Sequence, residues 1–342
     1  MSQPIPPTVQ AVFQPDVNSI NVILKDLPTP VPVEGSDQHL IRVHATAPCT
    51  GELTWAKYFP AALFADEPPE KRPLIPCYDL AGVVVTSPAN SPFQPGTEVY
   101  TRTPATRSGN ARLYTIACTG ELALKPKNLS WEEAASVPLS AFTALQGLFT
   151  HGGLADLTDP ERKQKNADKR VLITAASGAV GSWMLQLARS AGVGHIVGLC
   201  GTNNIEWTKS FGATDVIDYR KTSIKEWAAA HPDIKFDVII DCVGGDTLAQ
   251  TWYAVRSGGT LVSISGQPDS VKPEDAKATD VKNYFFIMET YGEQLVPVTK
   301  LLEAKEVRPI VDSVWTMEQY REAFEKLEKG HARGKIVIKI SE

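Results

Sequence analysis

Residues 171–190 read VLITAASGAVGSWMLQLARS, and this stretch decides the fold of the second half of the chain. Val171–Ala175 is an apolar run typical of a buried strand, and Ser182–Ser190 has the apolar spacing of a helix. The turn between them has the spacing A-x-x-G-x-x-G, a variant of the dinucleotide-binding fingerprint. Such a turn lets the backbone approach a pyrophosphate, and the helix behind it directs free N–H groups at the phosphates. The residues expected to bind the dinucleotide here are Ala176, Ser177, Gly178, Ala179, Val180 and Gly181.

After this turn, apolar strand-like runs alternate with amphipathic helical segments, a pattern typical of the doubly wound parallel sheet of an α/β fold. The predicted strands are His195–Cys200, Val216–Asp218, Phe236–Cys242 and Thr260–Ser265, and the predicted helices are Ile205–Phe211, Ile224–Ala230 and Thr247–Val255. Ligands of such sheets bind at the carboxyl ends of the strands, so Ser265 and Gly266 are expected in the same site.

The loop after the second of these strands indicates which dinucleotide binds. An Asp or Glu at this point would bind the ribose 2′-hydroxyl of NAD. The residues that stand there are Gly201, Thr202, Asn203 and Asn204, and Arg220 and Lys221 follow the next strand. Because neutral polar residues leave room for a 2′-phosphate, the sequence favours NADPH over NADH.

The first 130 residues differ in character, with dense proline and short apolar runs. The strands predicted there are His39–Val43, Leu80–Thr86, Thr97–Tyr100 and Leu113–Ile116. Ser130 and Glu133 form a capping box that predicts a helix start, and a second helix is predicted from about residue 141 to 150. Residues 156–168 are predicted to be a loop. The tail predicts a helix from about Tyr291, another over Gln319–Lys329 and a closing strand over Lys335–Ile340.

Four local motifs carry a resemblance to a known family: Asp79–Val83, Pro138–Leu145, Phe211–Tyr219 and Gly330–Val337. With the order of the regions, they resemble the medium-chain dehydrogenase/reductase superfamily over essentially the whole chain. Within it they are most similar to the zinc-independent quinone oxidoreductase and enoyl reductase branch, including fungal and plant members. The resemblance implies a GroES-like β-domain over residues 1–127 and 288–342 and a Rossmann NADP-binding domain over 128–287.

The zinc ligands of the zinc-dependent members are not matched. The chain has Cys49-Thr50-Gly51-Glu52 in place of a C-x-T-D motif, Tyr78 where those members have a histidine, and Leu139 where they have a cysteine. The lobe of four closely spaced cysteines that holds a structural zinc is also missing. A catalytic zinc needs three protein ligands and one open position, so no metal is expected.

Without zinc, the chemistry expected is hydride transfer from a reduced nicotinamide to an electron-poor acceptor. The resemblance places Thr143 beside the nicotinamide and Lys335 near the cofactor phosphates. It further implies an adenine or ribose rim at Gly244 and Gly245, after the strand that ends at Cys242. Tyr219, Cys242 and Val243 are also expected to bind the cofactor. The catalytic candidates are Thr143, Glu52 (to order a water or a ribose hydroxyl) and Tyr58, which stands where some enoyl reductases have a catalytic tyrosine. Trp55, Phe59 and Phe64 are read either as an apolar wall for a flat acceptor or as ordinary core.

The sequence thus predicts a zinc-independent, NADPH-dependent reductase of a quinone or of the C=C bond of an α,β-unsaturated carbonyl, acting on a small molecule. Two alternatives stay open. One is a trans-acting enoyl reductase of a fungal biosynthetic pathway, which takes an enoyl thioester from a carrier protein. The other is an NADPH-binding protein with little catalysis.

Composition excludes several other classes. The 342 residues hold 34 Lys and Arg against 39 Asp and Glu, a net charge of -5, so no nucleic-acid or anionic-membrane partner is expected. Five cysteines without a C-x-x-C pair suit a reducing compartment. With no signal peptide or membrane-length apolar run visible, a cytoplasmic protein is predicted. A homodimer and a monomer both stay open, with Thr260–Ser265 predicted as a sheet edge through which relatives pair.

Overall fold

The computed structural model describes residues 4–59, 72–330 and 332–341. The chain divides into two compact units, Met1–Leu139 with Glu289–Glu342 (unit 1) and Ser140–Met288 (unit 2). The second boundary falls within one residue of the predicted one. The first falls at residues 139/140 rather than at the predicted 127/128.

The N-terminal part of unit 1 is mostly β, as predicted. Its strands are β1 (Thr8–Phe13), β2 (Ile23–Pro28), β3 (Gln38–Ala47), β4 (Asp79–Thr86), β5 (Glu98–Arg102), β6 (Tyr114–Cys118) and β7 (Ala123–Leu124). Helix α1 (Glu52–Tyr58) follows β3, and helix α2 (Trp131–Ala135) follows β7. The four predicted strands are confirmed as β3 to β6. Strands β1 and β2 were not predicted. They form an antiparallel ribbon, and β1 also makes a single antiparallel bridge from Ala11 to Arg112.

Helix α2 explains the shifted boundary. The predicted capping box begins it: the Glu133 N–H donates to Ser130 Oγ at 3.1 Å, and the Ser130 N–H donates to Glu133 Oε2 at 2.9 Å. The helix then packs against β3 and β4 of unit 1. Residues 128–139 therefore belong to the β-rich unit rather than to the Rossmann domain.

Unit 2 is a doubly wound parallel sheet. It is entered through helix α3 (Pro138–Leu145), which crosses the boundary and continues as a π-helical segment, Gln146–His151. The short helix α4 (Arg162–Asn166) lies where a loop was predicted. The six strands are β8 (Arg170–Ile173), β9 (His195–Cys200), β10 (Asp215–Asp218), β11 (Phe236–Asp241), β12 (Val255–Ser263) and β13 (Lys282–Phe285). The helices between them are α5 (Ala179–Ser190), α6 (Ile205–Ser210), α7 (Ile224–Ala230) and α8 (Gly245–Thr251).

The strand order is β10-β9-β8-β11-β12-β13, with every pair parallel, which is the order of the dinucleotide-binding Rossmann fold. All six carboxyl ends therefore lie along one edge. The prediction of Thr260–Ser265 as the sheet edge is wrong, because β12 has β13 on its far side. Strand β13 has only four residues and none is buried, so it has no apolar pattern to find.

The chain then returns to unit 1 with α9 (Leu295–Glu303), β14 (Val311–Thr316), α10 (Tyr320–Glu328) and β15 (Lys335–Lys339). The large sheet of unit 1 has the order β14-β15-β3-β4-β5-β7, with β6 paired to β3. Strand β15 thus brings the end of the chain next to β3, and β3 is next to β4. Within the described ranges, no helix combines the length and the apolar character that crossing a membrane requires.

Candidate active site

The turn after β8 has the geometry of a phosphate cradle. Ala175 takes a positive φ of 47°, and the Gly178 N–H donates to its carbonyl oxygen at 2.9 Å. A Cβ on Gly181 would lie 2.3 Å from that same oxygen, so only glycine fits at this position. Gly178 is the N-cap of α5 and supplies no side-chain acceptor. The first N–H groups of α5 therefore stay available to an anion, and the turn fits a dinucleotide pyrophosphate.

The loops after β9 and β10 lie beside this turn. The Asn204 amide donates to Ser177 Oγ at 3.3 Å. Thr202 Oγ1 donates to Asp218 Oδ2 at 2.7 Å, and this bond lowers the pKa of Asp218. A Cβ on Gly201 would lie 3.2 Å from Arg220 Nε, so the guanidinium lies against the loop that follows β9.

Asp241 organises the ends of β8, β11 and β12. Its carboxylate is fully buried and accepts from Thr174 Oγ1 at 2.9 Å, from Ser263 Oγ at 3.0 Å and from the Gly244 N–H at 2.8 Å. Thr174 Oγ1 in turn accepts from the Cys242 N–H at 2.8 Å. The three strand ends are therefore fixed relative to one another. Neither Asp241 nor Thr174 was predicted, because each stands inside a strand run and only the fold shows their contact.

Most of the predicted cofactor residues are brought to this one edge of unit 2. Those on the loops after β8 to β12, or in the first turn of α5, are Ala176, Ser177, Gly178, Ala179, Val180, Gly181, Gly201, Thr202, Asn203, Asn204, Tyr219, Arg220, Cys242, Val243, Gly244, Ser265 and Gly266. Thr143 is buried in α3, also in unit 2. Lys335 differs from the rest, since it belongs to unit 1.

Lys335 is buried and paired within unit 1, and its predicted place near the cofactor phosphates stays a prediction. Its side chain is 7% exposed, and its ammonium nitrogen lies 2.9 Å from Asp79 Oδ2. It also donates to the carbonyl oxygen of Pro48 at 2.9 Å. Although burial alone would lower it, the Asp79 carboxylate raises the pKa of Lys335. The other Asp79 oxygen accepts from the Leu139 N–H at 2.7 Å.

Glu52, a predicted catalytic candidate, is part of the same buried cluster. It begins α1, and its two carboxyl oxygens accept from the N–H groups of Cys49 at 3.0 Å and Cys77 at 2.9 Å. Burial raises the pKa of Glu52 to about 7. The backbone of Cys77 has a positive φ of 68°, which directs its N–H at this carboxyl group. We define the buried cluster as Cys49, Glu52, Cys77, Asp79, Arg102 and Lys335.

Arg102 was missed by sequence reasoning. It ends β5 and pairs in register with Asp79 on β4. It is 7% exposed, and its guanidinium carbon lies 5.7 Å from the ring centre of Tyr78. The sequence around it reads as an ordinary short strand, and no signal there indicated the pairing with β4.

The remaining predicted residues of unit 1 lie at the surface or stay untested. Tyr58 and Phe59 are 63% and 55% exposed, so the tyrosine is not in the buried cluster. The Trp55 ring stacks on Tyr78 with centroids 5.7 Å apart, which places it beside the cluster. Phe64 lies outside the described residues.

Comparison with known proteins agrees with both units. Residues 35–143 match the family described as alcohol dehydrogenase GroES-like domain, and residues 211–338 match the one described as zinc-binding dehydrogenase. A probable zinc-binding oxidoreductase, mitochondrial, of Arthroderma benhamiae is 48% identical over 336 residues, 98% of each chain. The chain belongs to the medium-chain dehydrogenase/reductase superfamily, in its quinone-oxidoreductase-like branch.

Two further members of this superfamily illustrate its range. An NADPH-dependent alkenal/one oxidoreductase, chloroplastic, of Arabidopsis thaliana is 30% identical over 346 residues, covering 98% of this chain and 80% of the relative. The solved quinone oxidoreductase of Coxiella burnetii superposes with a TM-score of 0.78 at 24% identity, over 97% of this chain and 98% of the other. The structural likeness confirms the GroES-like and Rossmann folds. The chain is an oxidoreductase of this superfamily.

The zinc in the family description does not fit the buried cluster of this member. Each carboxyl oxygen of Glu52 and Asp79 already accepts an N–H donor or faces the Lys335 ammonium. Burial raises the pKa of the Cys49 thiol to about 11. Among the described residues, no three His, Cys, Asp or Glu side chains come together as a metal site. A dication here would face the cations of Lys335 and Arg102.

Proposed function

We propose that this chain is a zinc-independent, NADPH-dependent reductase that transfers a hydride to a quinone or to the C=C bond of an α,β-unsaturated carbonyl. One observation carries the proposal: the chain combines a dinucleotide cradle in unit 2 with a buried cluster in unit 1 whose cations are the side chains of Lys335 and Arg102. Reduction of a conjugated acceptor needs a hydride and stabilisation of one oxygen, which protein groups supply without a metal.

NADPH, when bound, supplies the hydride. Gly178 and the first turn of α5 would hold the pyrophosphate. Arg220, beside Gly201, would bind the 2′-phosphate. Asp218, the nearby carboxylate, is already bonded to Thr202 and to the Arg220 N–H. The described loop that follows β9, Gly201 to Asn204, itself holds no carboxylate for a ribose hydroxyl. The name of the Arabidopsis relative supports the same cofactor.

Unit 1 would bind the acceptor, stabilise the negative charge that forms on its oxygen and supply a proton. Trp55, which is half-buried and stacks on the buried Tyr78, offers a flat apolar surface beside the cluster. A carboxyl with a pKa of about 7 holds a proton in part of the population at neutral pH, so Glu52 is suited to deliver one. The catalytic roles of Thr143 and Tyr58 stay predictions. The prediction for Thr143 is supported by its buried position in α3, and the one for Tyr58 rests on the sequence resemblance alone.

The experiment is oxidation of NADPH and of NADH, followed by absorbance, with a quinone, an enal, an enone, an enoyl thioester and a simple aldehyde as acceptors. A chelator-treated sample is the control for trace metal. Turnover of the quinone, enal or enone with NADPH preferred, unchanged by the chelator, supports the proposal. Turnover of the thioester alone would identify the enoyl reductase alternative. NADPH binding without turnover would identify the weakly catalytic one.

The cellular location and the oligomeric state of the protein stay predictions. A cytoplasmic location would be tested by imaging a fluorescent fusion of the full chain. Whether the protein is a homodimer or a monomer would be tested by sedimentation.

A further inference from the structure

Arg102 carries a buried charge that is attracted by the Asp79 and Glu52 carboxylates without bonding to either. Among the residues that the structure describes, its guanidinium makes no hydrogen bond or ion pair, and its Nε is buried without an acceptor. Its neighbour Arg107 shows the usual arrangement, because Arg107 donates to both oxygens of Glu121 at 2.9 and 2.6 Å. An unpaired buried charge destabilises a fold by several kcal/mol. A site that retains one is therefore suited to receive an acceptor group from outside the chain.

The nearest carboxylate does not satisfy Arg102. Asp79 is its cross-strand partner in register, yet Asp79 already binds the Lys335 ammonium and the Leu139 N–H. That pair is neutral as a whole. Glu52, with a pKa of about 7, cancels only part of the remaining charge at neutral pH. The buried cluster thus holds a surplus of positive charge, and it is centred on Arg102.

The surroundings of Arg102 define the kind of group it would bind. The Tyr78 ring lies under the guanidinium, and the Trp55 ring stacks on Tyr78. Tyr78 is buried beneath these two neighbours, and the half-buried Trp55 ring supplies the flat apolar surface on this side of the cluster. A guanidinium is a planar fork that matches one or two oxygens held in a plane. A conjugated carbonyl, or a carboxylate on a flat apolar group, has that shape.

We propose that Arg102 binds the carbonyl oxygen of the acceptor and holds the negative charge that this oxygen gains during reduction. The inference rests on the proposed function. The hydride brings an electron pair that forms a C–H bond at the β-carbon. The C=C pair then moves to form the enolate, and the C=O pair moves to the oxygen. That oxygen accepts N–H bonds from Arg102 until a proton from Glu52 or water completes the product. For a quinone, the ring carbonyl oxygen takes the same place.

The test uses R102Q, R102K and a matched control, R112Q. Arg112 is another buried arginine of unit 1, 6% exposed, with one long bond of 3.4 Å to Thr115. R112Q therefore reports what removing a buried arginine does to the fold. Circular dichroism checks folding, and kcat and KM are measured with an enone and NADPH. Calorimetry measures benzoate binding to the cofactor-free protein, since benzoate is a flat carboxylate that accepts no hydride.

We expect R102Q to lower kcat about 100-fold, as loss of one oxyanion donor does, and to abolish benzoate binding. R102K should keep the charge and recover part of kcat. R112Q should match the wild type in both readouts. Wild-type kcat and benzoate affinity in folded R102Q would overturn the inference. If R102Q does not fold, R102K decides: weaker benzoate binding supports the inference, and unchanged binding and kcat overturn it.

The two proposals fail in different ways. If the wild type reduces acceptors but R102Q is unchanged, the reductase function stands and the role of Arg102 falls. If the wild type reduces nothing yet binds benzoate through Arg102, the anion-binding role stands and the reductase function falls.

Discussion

The ammonium nitrogen of Lys335 lies 2.9 Å from Asp79 Oδ2, in a buried pair that joins β15 to β4. The two residues come from opposite ends of the chain and from strands separated by β3. The pair places a fixed cation of the chain itself within the cluster. Its energetics differ from those of the surface pairs, because water screens neither partner.

Removing one partner of this pair should be costly. K335M leaves the Asp79 charge buried without a counterion, which we expect to lower the free energy of unfolding by about 3–5 kcal/mol. Urea unfolding measures this loss. The double variant K335M/D79N should regain most of it, because asparagine is uncharged and still accepts from the Leu139 N–H. K165M, which breaks an exposed pair, is the control and should leave the midpoint unchanged. Equal midpoints for K335M and the wild type would contradict the prediction.

Glu52 should make stability depend on pH. Its pKa is about 7 in the folded chain against an ordinary 4.5, so the folded state holds the proton more tightly than the unfolded state. The protonated Glu52 therefore contributes its full share to the free energy of unfolding below about pH 4.5. This contribution, about 3 kcal/mol in total, is lost as the pH rises to about 7. E52Q removes this dependence, and the difference between the wild-type and E52Q curves isolates it. E226Q is the control, since the pKa of Glu226 is lowered by its cap bonds. A wild-type curve parallel to that of E52Q between pH 4.5 and 7 would refute the assignment.

Alanine substitutions at the two glycines of the turn should have different effects, one on stability and the other on cofactor binding. In G181A the new Cβ would lie 2.3 Å from the Ala175 oxygen, so the turn must shift, and we expect a loss of about 1–3 kcal/mol. In G178A the Cβ would lie 3.3 Å from that oxygen, a contact that small adjustments relieve. G178A should therefore keep its thermal midpoint and weaken NADPH binding, because a side chain stands where the phosphates approach. Thermal unfolding and NADPH titration of both variants give the answer. Equal midpoints for G181A and G178A would show that the turn tolerates a Cβ at both positions.

Arg220 should set the preference for NADPH. R220A removes a charge-assisted bond to the 2′-phosphate, which we expect to raise the KM for NADPH about tenfold or more while leaving the KM for NADH unchanged. R256A, an exposed arginine paired to Asp237 in the same unit, is the control. Equal changes for both cofactors would mean that Arg220 does not contact the phosphate.

The Rossmann sheet was predictable because its signals are local. His195–Cys200 and Ile224–Ala230 have the predicted bounds, since each is a clear apolar or amphipathic run between turn residues. The failures share a cause. Strand β13 is short and without buried residues, and the ribbon of β1 and β2 has only four buried residues in twelve, so burial leaves little pattern in either.

The cofactor loops could be predicted from the sequence, but the buried cluster could not. Gly178 and Gly181 are recognised by their spacing within one turn. Lys335 was identified only as a basic position, because its partner Asp79 lies on a distant strand. Arg102 lies opposite Asp79 through the register of β4 and β5, and register depends on the whole sheet.

The carboxylate of Asp241 affects the dynamics of unit 2 before any ligand arrives. Because it holds Thr174, Gly244 and Ser263 in the ligand-free chain, the crevice at the ends of β8, β11 and β12 needs little reordering to receive a nucleotide. The entropy of ordering these loops is then lost during folding rather than during association, which favours tight binding. Hydrogen–deuterium exchange would report it directly: the amides of Cys242 and Gly244 should exchange slowly without cofactor, and NADPH should slow them little further.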